Sequence, residues 1–108
     1  MDVEVLVVPD CPHAAAAIGL TRQVLADLDL AGTPIRISEI DTLVAARRRG
    51  FVGSPTILIN GIDPFPAAGQ PPAVACRVYP GASGVSPLPD RLALRQALIG
   101  ATGDSARH

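Results

Sequence analysis

The feature that most constrains this chain is a run of apolar residues, Val3 to Val8, which Pro9 and Asp10 break at once. A β-branched run in which nearly every residue is apolar is typical of a strand buried on both faces of a parallel sheet. Parallel strands need a crossover connection, and a helical pattern follows directly. The sequence therefore predicts a βαβ unit and a fold of the α/β class.

The helical pattern opens at Cys11 and Pro12, because proline suits the first helical position, where its missing N–H has no partner. Gly32 is available to end this helix. Five residues recur at helical spacing and are predicted to face the core: Ile18, Thr21, Val24, Leu25 and Leu28.

The next two elements are a strand and a short helix. Ile35 to Ile40 alternates apolar and polar residues, which predicts a second strand. Asp41 is a natural N-cap for a helix that Gly50 closes. Arg47 to Arg49 then occupy the last turn, where positive charge complements the helix dipole, and we favour this interpretation over an anion-binding patch.

The rest of the chain predicts two strands and a final helix. Thr56 to Ile59 is the third strand, residues 62–73 are an irregular Pro-rich loop, and Val74 to Tyr79 is the fourth strand. Pro89 to Ile99 is a helix, and residues 101–108 are a frayed tail. Three residues of this helix are expected to point inward: Leu94, Leu98 and Ile99. The predicted order is β-α-β-α-β-β-α in one domain spanning residues 1–108.

Composition narrows the classes of partner. The formal net charge is −1 and all nine basic residues are Arg, so no strong field attracts nucleic acid or an anionic membrane. No apolar run is long enough for a membrane helix, and we expect no secretory signal. We therefore expect a cytoplasmic protein whose two cysteines are thiols rather than a structural disulfide. A homodimer is left open.

Two separate motifs point to thiol chemistry. Cys11 is expected to cap the first helix, where free N–H groups and the positive dipole end favour the thiolate. Pro55 precedes the third strand, and a cis bond there would present the backbone of Ser54 and Pro55 to a molecule docked near the thiol.

These motifs, in this order of elements, resemble the thioredoxin-like superfamily. Cys11-Pro12-His13-Ala14 is similar to the Cys-Pro-His-Cys motif of the bacterial periplasmic disulfide oxidants, and Gly53-Ser54-Pro55-Thr56 is similar to their cis-proline loop. Over the whole chain the sequence resembles short actinobacterial thioredoxin-like proteins, some of which carry the label alkylmercury lyase. The resemblance implies a three-layer sandwich with a mixed four-stranded sheet. It also implies a docking surface at Pro12, Ser54, Pro55 and Thr56.

Ala14 departs from that motif, because it stands where the second cysteine would be. A mixed disulfide on Cys11 therefore has no neighbouring thiol to resolve it. Three routes stay open: resolution by a low-molecular-weight thiol, resolution by Cys76, or no redox turnover.

Cys76 has two interpretations. The preferred one is a small buried hydrophobe, since Val74, Cys76 and Val78 alternate along one face of the predicted strand. The other places Cys76 close enough to Cys11 to form a disulfide, or to hold a soft metal such as mercury between two thiolates.

Three further residues lie beside these thiols in sequence or are expected near the site. His13 either stabilises the Cys11 thiolate by its charge, as the resemblance implies, or is an exposed residue without a role. Asp10 is assigned to a turn, and Ser54 either contributes a hydroxyl or serves packing.

The sequence holds no set of ligands for structural zinc or an iron–sulfur cluster, no phosphate-binding loop and no nucleophilic Ser elbow. No cofactor is predicted.

We expect a thiol protein that performs thiol–disulfide exchange through Cys11, with protein or low-molecular-weight thiols and disulfides as partners. Whether it is an enzyme is left open, with a thiol–disulfide oxidoreductase as the candidate. One alternative is mercury or organomercurial binding, or a lyase-like reaction, at Cys11 and Cys76. The other is a non-catalytic binding module.

Overall fold

In the computed structural model of the protein, the apolar run forms strand β1, Val3–Val7, and all five residues are buried. The structure describes residues 1–65, 69–81 and 84–106. Strand β2, Ile35–Glu39, lies parallel to β1 on one side, and β3, Thr56–Ile59, lies antiparallel to β1 on the other. Helix α1, Ala14–Asp27, connects β1 to β2, so the predicted βαβ unit is confirmed.

Helices cover both faces of this mixed three-stranded sheet. Helices α1 and α3 (Arg91–Ala106) pack on one face and α2 (Leu43–Arg49) lies on the other. The residues of the core under α1 and α3 are Val3, Val5, Val7, Val24, Leu25, Ile57, Ile59, Leu94 and Leu98. The residues of the core on the α2 side are Leu6, Ile40, Ala46, Phe51 and Leu58. A strand buried on both faces explains why β1 is apolar at nearly every position.

The ends of the first two helices differ from two predictions. Thr42, not Asp41, is the N-cap of α2, because its side-chain oxygen accepts the Ala45 N–H at 3.1 Å. Gly50 closes α2 in the left-handed conformation, as predicted. Helix α1 ends at Asp27 with Leu28 as its C-cap, before Gly32 is reached, and the next residue, Asp29, is left-handed.

The predicted fourth strand is wrong. Of Val74 to Tyr79, only Tyr79 belongs to a strand: β4, Tyr79–Gly81, pairs with β5, Gly84–Ser86, in a separate two-stranded ribbon. Residues 75–77 pair instead with Ser54, ahead of β3, and make one isolated bridge there. This pairing places the segment beside the loop that leads into β3 rather than beside a strand of the three-stranded sheet.

The final helix is longer than predicted. It runs from Arg91 to Ala106, past the predicted end at Ile99 and into the predicted frayed tail, because Gly100 is not left-handed. Leu94 and Leu98 are buried as predicted, whereas Ile99 is 46% exposed, so its predicted inward orientation is wrong. Residues four apart lie on the same face of a helix, so Leu94 and Leu98 both face the core. Ile99 follows Leu98 directly and therefore points away from that face.

Two predictions concern segments that are described only in part. The described residues of the predicted Pro-rich loop, 62–65 and 69–73, belong to no helix or strand, although Ile62 makes an isolated bridge with Ile59, and residues 66–68 lie outside the described ranges. Residues 107 and 108, the end of the predicted tail, also lie outside them. Within the described ranges, no helix has the length and apolar character to cross a membrane.

Candidate thiol site

Cys11 lies in the turn between β1 and α1, so the prediction that it caps the first helix is wrong. The Cys11 N–H donates to the Val8 carbonyl at 3.3 Å, and its own carbonyl accepts the Ala14 N–H at 3.3 Å. These bonds close two successive turns before the helix begins at Ala14. Pro12 therefore lies in a turn rather than at the first helical position, and the residue at the N-cap is His13.

The Cys11 side chain is half-buried and packs against the core under α1 and α3. The preceding Asp10 is exposed in the turn with a φ of 58°, in keeping with its predicted turn role. The thiol thus occupies a fixed position at the end of β1 and keeps access to solvent.

The second part of the site is the loop before β3. Its Ser54–Pro55 peptide bond is cis. Ser54 is fully buried, and its hydroxyl oxygen accepts the Val8 N–H at 3.0 Å. Because Val8 also accepts the Cys11 N–H, Ser54 is linked through one residue to the turn that carries Cys11.

Cys76 is exposed, so its interpretation as a buried hydrophobe is wrong. The side chains predicted to face inward point outward instead: Val74 is 40% exposed and Val78 is 62% exposed. Arg77 and Tyr79, on the opposite face, are buried. The reason lies at Gly53, where a Cβ atom would stand 2.7 Å from the Cβ of Arg77. Only glycine leaves room for this inward approach of the Arg77 backbone.

Arg77 is buried, and three hydrogen bonds hold its guanidinium. Its guanidinium donates to the Thr56 hydroxyl at 3.0 Å, to the Asp63 carboxylate at 2.6 Å and to the Phe65 carbonyl at 2.6 Å. The guanidinium also lies 4.4 Å from the centre of the Tyr79 ring. The sequence did not single out this cluster as a site: an arginine beside a cysteine on an alternating strand gives no sign that it points inward.

Tyr79 ties the cluster to the cis-proline loop, because its hydroxyl donates to the Pro55 carbonyl. Burial raises the pKa of Tyr79 to about 12; the charge of Arg77 opposes this rise and the charge of Asp63 adds to it. Its ring meets that of Phe65 edge-on, with centres 5.5 Å apart. Arg77, Tyr79 and Phe65 line part of a cavity of about 320 Å³ that extends to the first turn of α3.

The predicted docking residues fall into two groups. Pro12 is exposed and available to a ligand. Ser54, Pro55 and Thr56 are buried, and the Thr56 hydroxyl donates to the Gly53 carbonyl and accepts from Arg77. The side chain of His13 is half-buried and makes no capping hydrogen bond, so its predicted effect on the thiolate stays a prediction.

Cys11 and Cys76 are both free thiols, and Ser54 connects the two segments that carry them. Among the described residues, no group of three or more His, Cys, Asp or Glu could hold a metal ion. A two-thiolate mercury site therefore stays a prediction from the sequence. The arrangement offers one thiol in the turn before α1 and a second, exposed thiol on the segment that pairs with Ser54.

Comparison with protein-family models, with curated proteins and with solved structures finds no match to this chain.

Proposed function

We propose that this chain is a thioredoxin-like thiol protein that carries out thiol–disulfide exchange through Cys11. The observation that carries the proposal is the bond from the Val8 N–H to the Ser54 hydroxyl, which holds the loop of the cis Ser54–Pro55 bond against the Cys11 turn. The resemblance implies a reactive cysteine at the start of the first helix with a cis-proline loop opposite it, and the position of the half-buried Cys11 beside the Pro55 loop supports that arrangement. The strand order β2-β1-β3, with helices on both faces, supports it.

The exchange proceeds in two displacements. The Cys11 thiolate attacks one sulfur of a disulfide R–S–S–R, so that a new S–S bond forms and R–S⁻ leaves with the electron pair of the broken bond and takes a proton from water. A low-molecular-weight thiolate then attacks the R sulfur of the mixed disulfide and returns Cys11 as a thiolate. The net reaction exchanges one thiol for another and leaves the oxidation state of the protein unchanged.

An external thiol is assigned the second step because Ala14 removes the neighbouring cysteine. Cys76 is the other thiol in the chain, and it is exposed on the segment paired with Ser54. If Cys76 performed the second step, a Cys11–Cys76 disulfide would form, and an external thiol would have to reduce it.

The test measures glutathione-dependent turnover of 2-hydroxyethyl disulfide by the full chain. Cys11→Ser is expected to reduce the rate to the uncatalysed background, because the nucleophile is lost. Cys76→Ser is the matched control, and its rate is expected to stay within about twofold of the parent.

Two results would change this proposal. Background turnover by the parent chain would leave the fold as a non-catalytic binding module. Loss of turnover in Cys76→Ser with formation of a Cys11–Cys76 disulfide in the parent would assign the second step to Cys76.

A further inference from the structure

The segment at residues 73–77, which we name the strap, runs along the loop that leads into β3. The Ala73 N–H donates to the Phe51 carbonyl at 3.1 Å. The Ser54 N–H donates to the Ala75 carbonyl at 2.8 Å, and the Arg77 N–H donates to the Ser54 carbonyl at 2.9 Å. The strap therefore pairs with Ser54 as a neighbouring strand would.

This pairing uses the main-chain groups that a docked peptide would need. Both the N–H and the C=O of Ser54 are bonded to the strap, and Pro55 has no N–H. The Gly53 carbonyl accepts the Thr56 hydroxyl at 2.7 Å, and the Pro55 carbonyl accepts the Tyr79 hydroxyl. An extended peptide that adds to a backbone edge gains its affinity from such groups, and here they are already satisfied.

The strap is held by more than its backbone. Arg77, its last residue, is anchored by Thr56, Asp63 and the Phe65 carbonyl. Gly53 lets the Arg77 backbone approach so closely that an added Cβ would lie 3.1 Å from the Arg77 Cα. Displacing the strap would leave the buried guanidinium of Arg77 without its hydrogen-bond partners, and this loss is unfavourable in free energy.

We infer that the disulfide substrates of this chain are low-molecular-weight compounds and not extended polypeptides, an inference that rests on the proposed exchange at Cys11. A small disulfide needs only access to the half-buried thiol, and the turn at Cys11 provides it. A polypeptide disulfide would have to expel the strap before it could pair with Ser54.

The experiment compares two disulfides of 5-thio-2-nitrobenzoate, one with free cysteine and one with an unstructured peptide that has a single central cysteine. It uses the full chain with Cys76→Ser, so that Cys11 is the only thiol, and each rate is divided by the rate of the same compound with glutathione. Attack on the cysteine sulfur releases the same coloured thiolate from both compounds. The cysteine compound is expected to react roughly tenfold faster than the peptide compound, because only the peptide needs the occupied groups.

Arg77→Met loosens the strap and is expected to raise the peptide rate several-fold relative to the cysteine rate. Arg91→Met is the matched control, since Arg91 makes an exposed ion pair with Asp27 at 2.5 Å between α3 and α1, and it should leave the ratio unchanged.

Equal rates for the two compounds in the parent chain, or a ratio unaffected by Arg77→Met, would overturn the inference while the exchange reaction stands. Failure of both compounds to react faster than they do with the unfolded chain would overturn the proposed function itself. If Arg77→Met does not fold, hydrogen exchange in the parent decides. The amides of Ser54 and Arg77 should exchange slowly and stay slow with the peptide present, whereas rapid exchange would contradict a closed strap.

Discussion

Glu4 is the charged residue of β1, and its carboxylate is buried on the α2 side of the sheet. It accepts hydrogen bonds from the Ser38 hydroxyl at 2.6 Å and from Arg49 at 2.5 Å. Burial by itself would raise the pKa of Glu4. The hydrogen bonds and the charges of Arg49 and Arg36 outweigh burial and hold the pKa below its ordinary value of 4.5.

This lowered pKa predicts an acid-dependent loss of stability. A carboxylate whose pKa is lower in the folded state stabilises that state above its unfolded pKa, and the contribution is lost as the pH falls through the folded pKa. Glu4→Gln is expected to lower the free energy of unfolding by about 2 kcal/mol at pH 7. The difference from the parent should shrink below pH 4.5. Urea denaturation of the parent and of Glu4→Gln, at pH 7 and below pH 4.5, measures this difference in the free energy of unfolding.

Glu39→Gln, on an exposed residue of β2, is the control, and its effect should stay within about 0.5 kcal/mol. An equal loss for Glu4→Gln in acid and at neutrality would show that the ionised carboxylate is not the stabilising form.

At the scale of an element, the C-terminus of α1 shows a glycine-type cap built without glycine. The Asp29 N–H donates to the Ala26 carbonyl and the Leu30 N–H donates to the Leu25 carbonyl, which is the bonding of a Schellman motif. Asp29 holds the left-handed position with a φ of 60°. Gly32 lies beyond it and is not left-handed.

Asp29→Gly is expected to raise the free energy of unfolding by about 0.5–1 kcal/mol, because glycine adopts the left-handed conformation without the Cβ penalty. Gly32→Ala tests the alternative cap, and a Cβ there would meet no atom within 4 Å. Gly32→Ala should therefore cause no loss of stability in thermal or urea denaturation. A loss of about 1 kcal/mol in Gly32→Ala would instead make Gly32 the cap.

Across the whole molecule, the strap joins elements that are remote in sequence. It connects the Pro-rich loop through Asp63, the start of β3 through Ser54 and Thr56, and the two-stranded ribbon through Tyr79. Gly53 is where these parts meet, because its φ is 149° and its Cα faces the Arg77 backbone.

Gly53→Ala is therefore expected to lower the free energy of unfolding by about 3 kcal/mol, since both the φ and the contact with Arg77 must change. Gly50→Ala is the matched control: its φ is also positive, at 61°, but an added Cβ meets no atom within 4 Å. Its loss should be about 1 kcal/mol, which is the cost of the conformation alone. Equal losses of the free energy of unfolding in the two variants would mean that the close approach of Arg77 adds nothing to the cost of a Cβ atom at Gly53.

Elements whose signals are local could be predicted from the sequence alone. Apolar periodicity placed β1, β2, β3 and the inward face of α1, and Gly50 marked the end of α2. The two segments that frame the candidate site, at Cys11 and Pro55, were also evident, because a cysteine after a strand and a proline before one are visible as short motifs.

The role of residues 74–79 could not be predicted from the sequence, because it depends on contacts that form on folding. Alternation predicted that Val74, Cys76 and Val78 face inward, but a period of two cannot say which of its two faces is buried. The missing Cβ of Gly53 and the carboxylate of Asp63 decide in favour of Arg77, because one gives space and the other compensates the charge. Asp63 lies 14 residues before Arg77 along the chain and Gly53 lies further back, so only folding brings them to the strap.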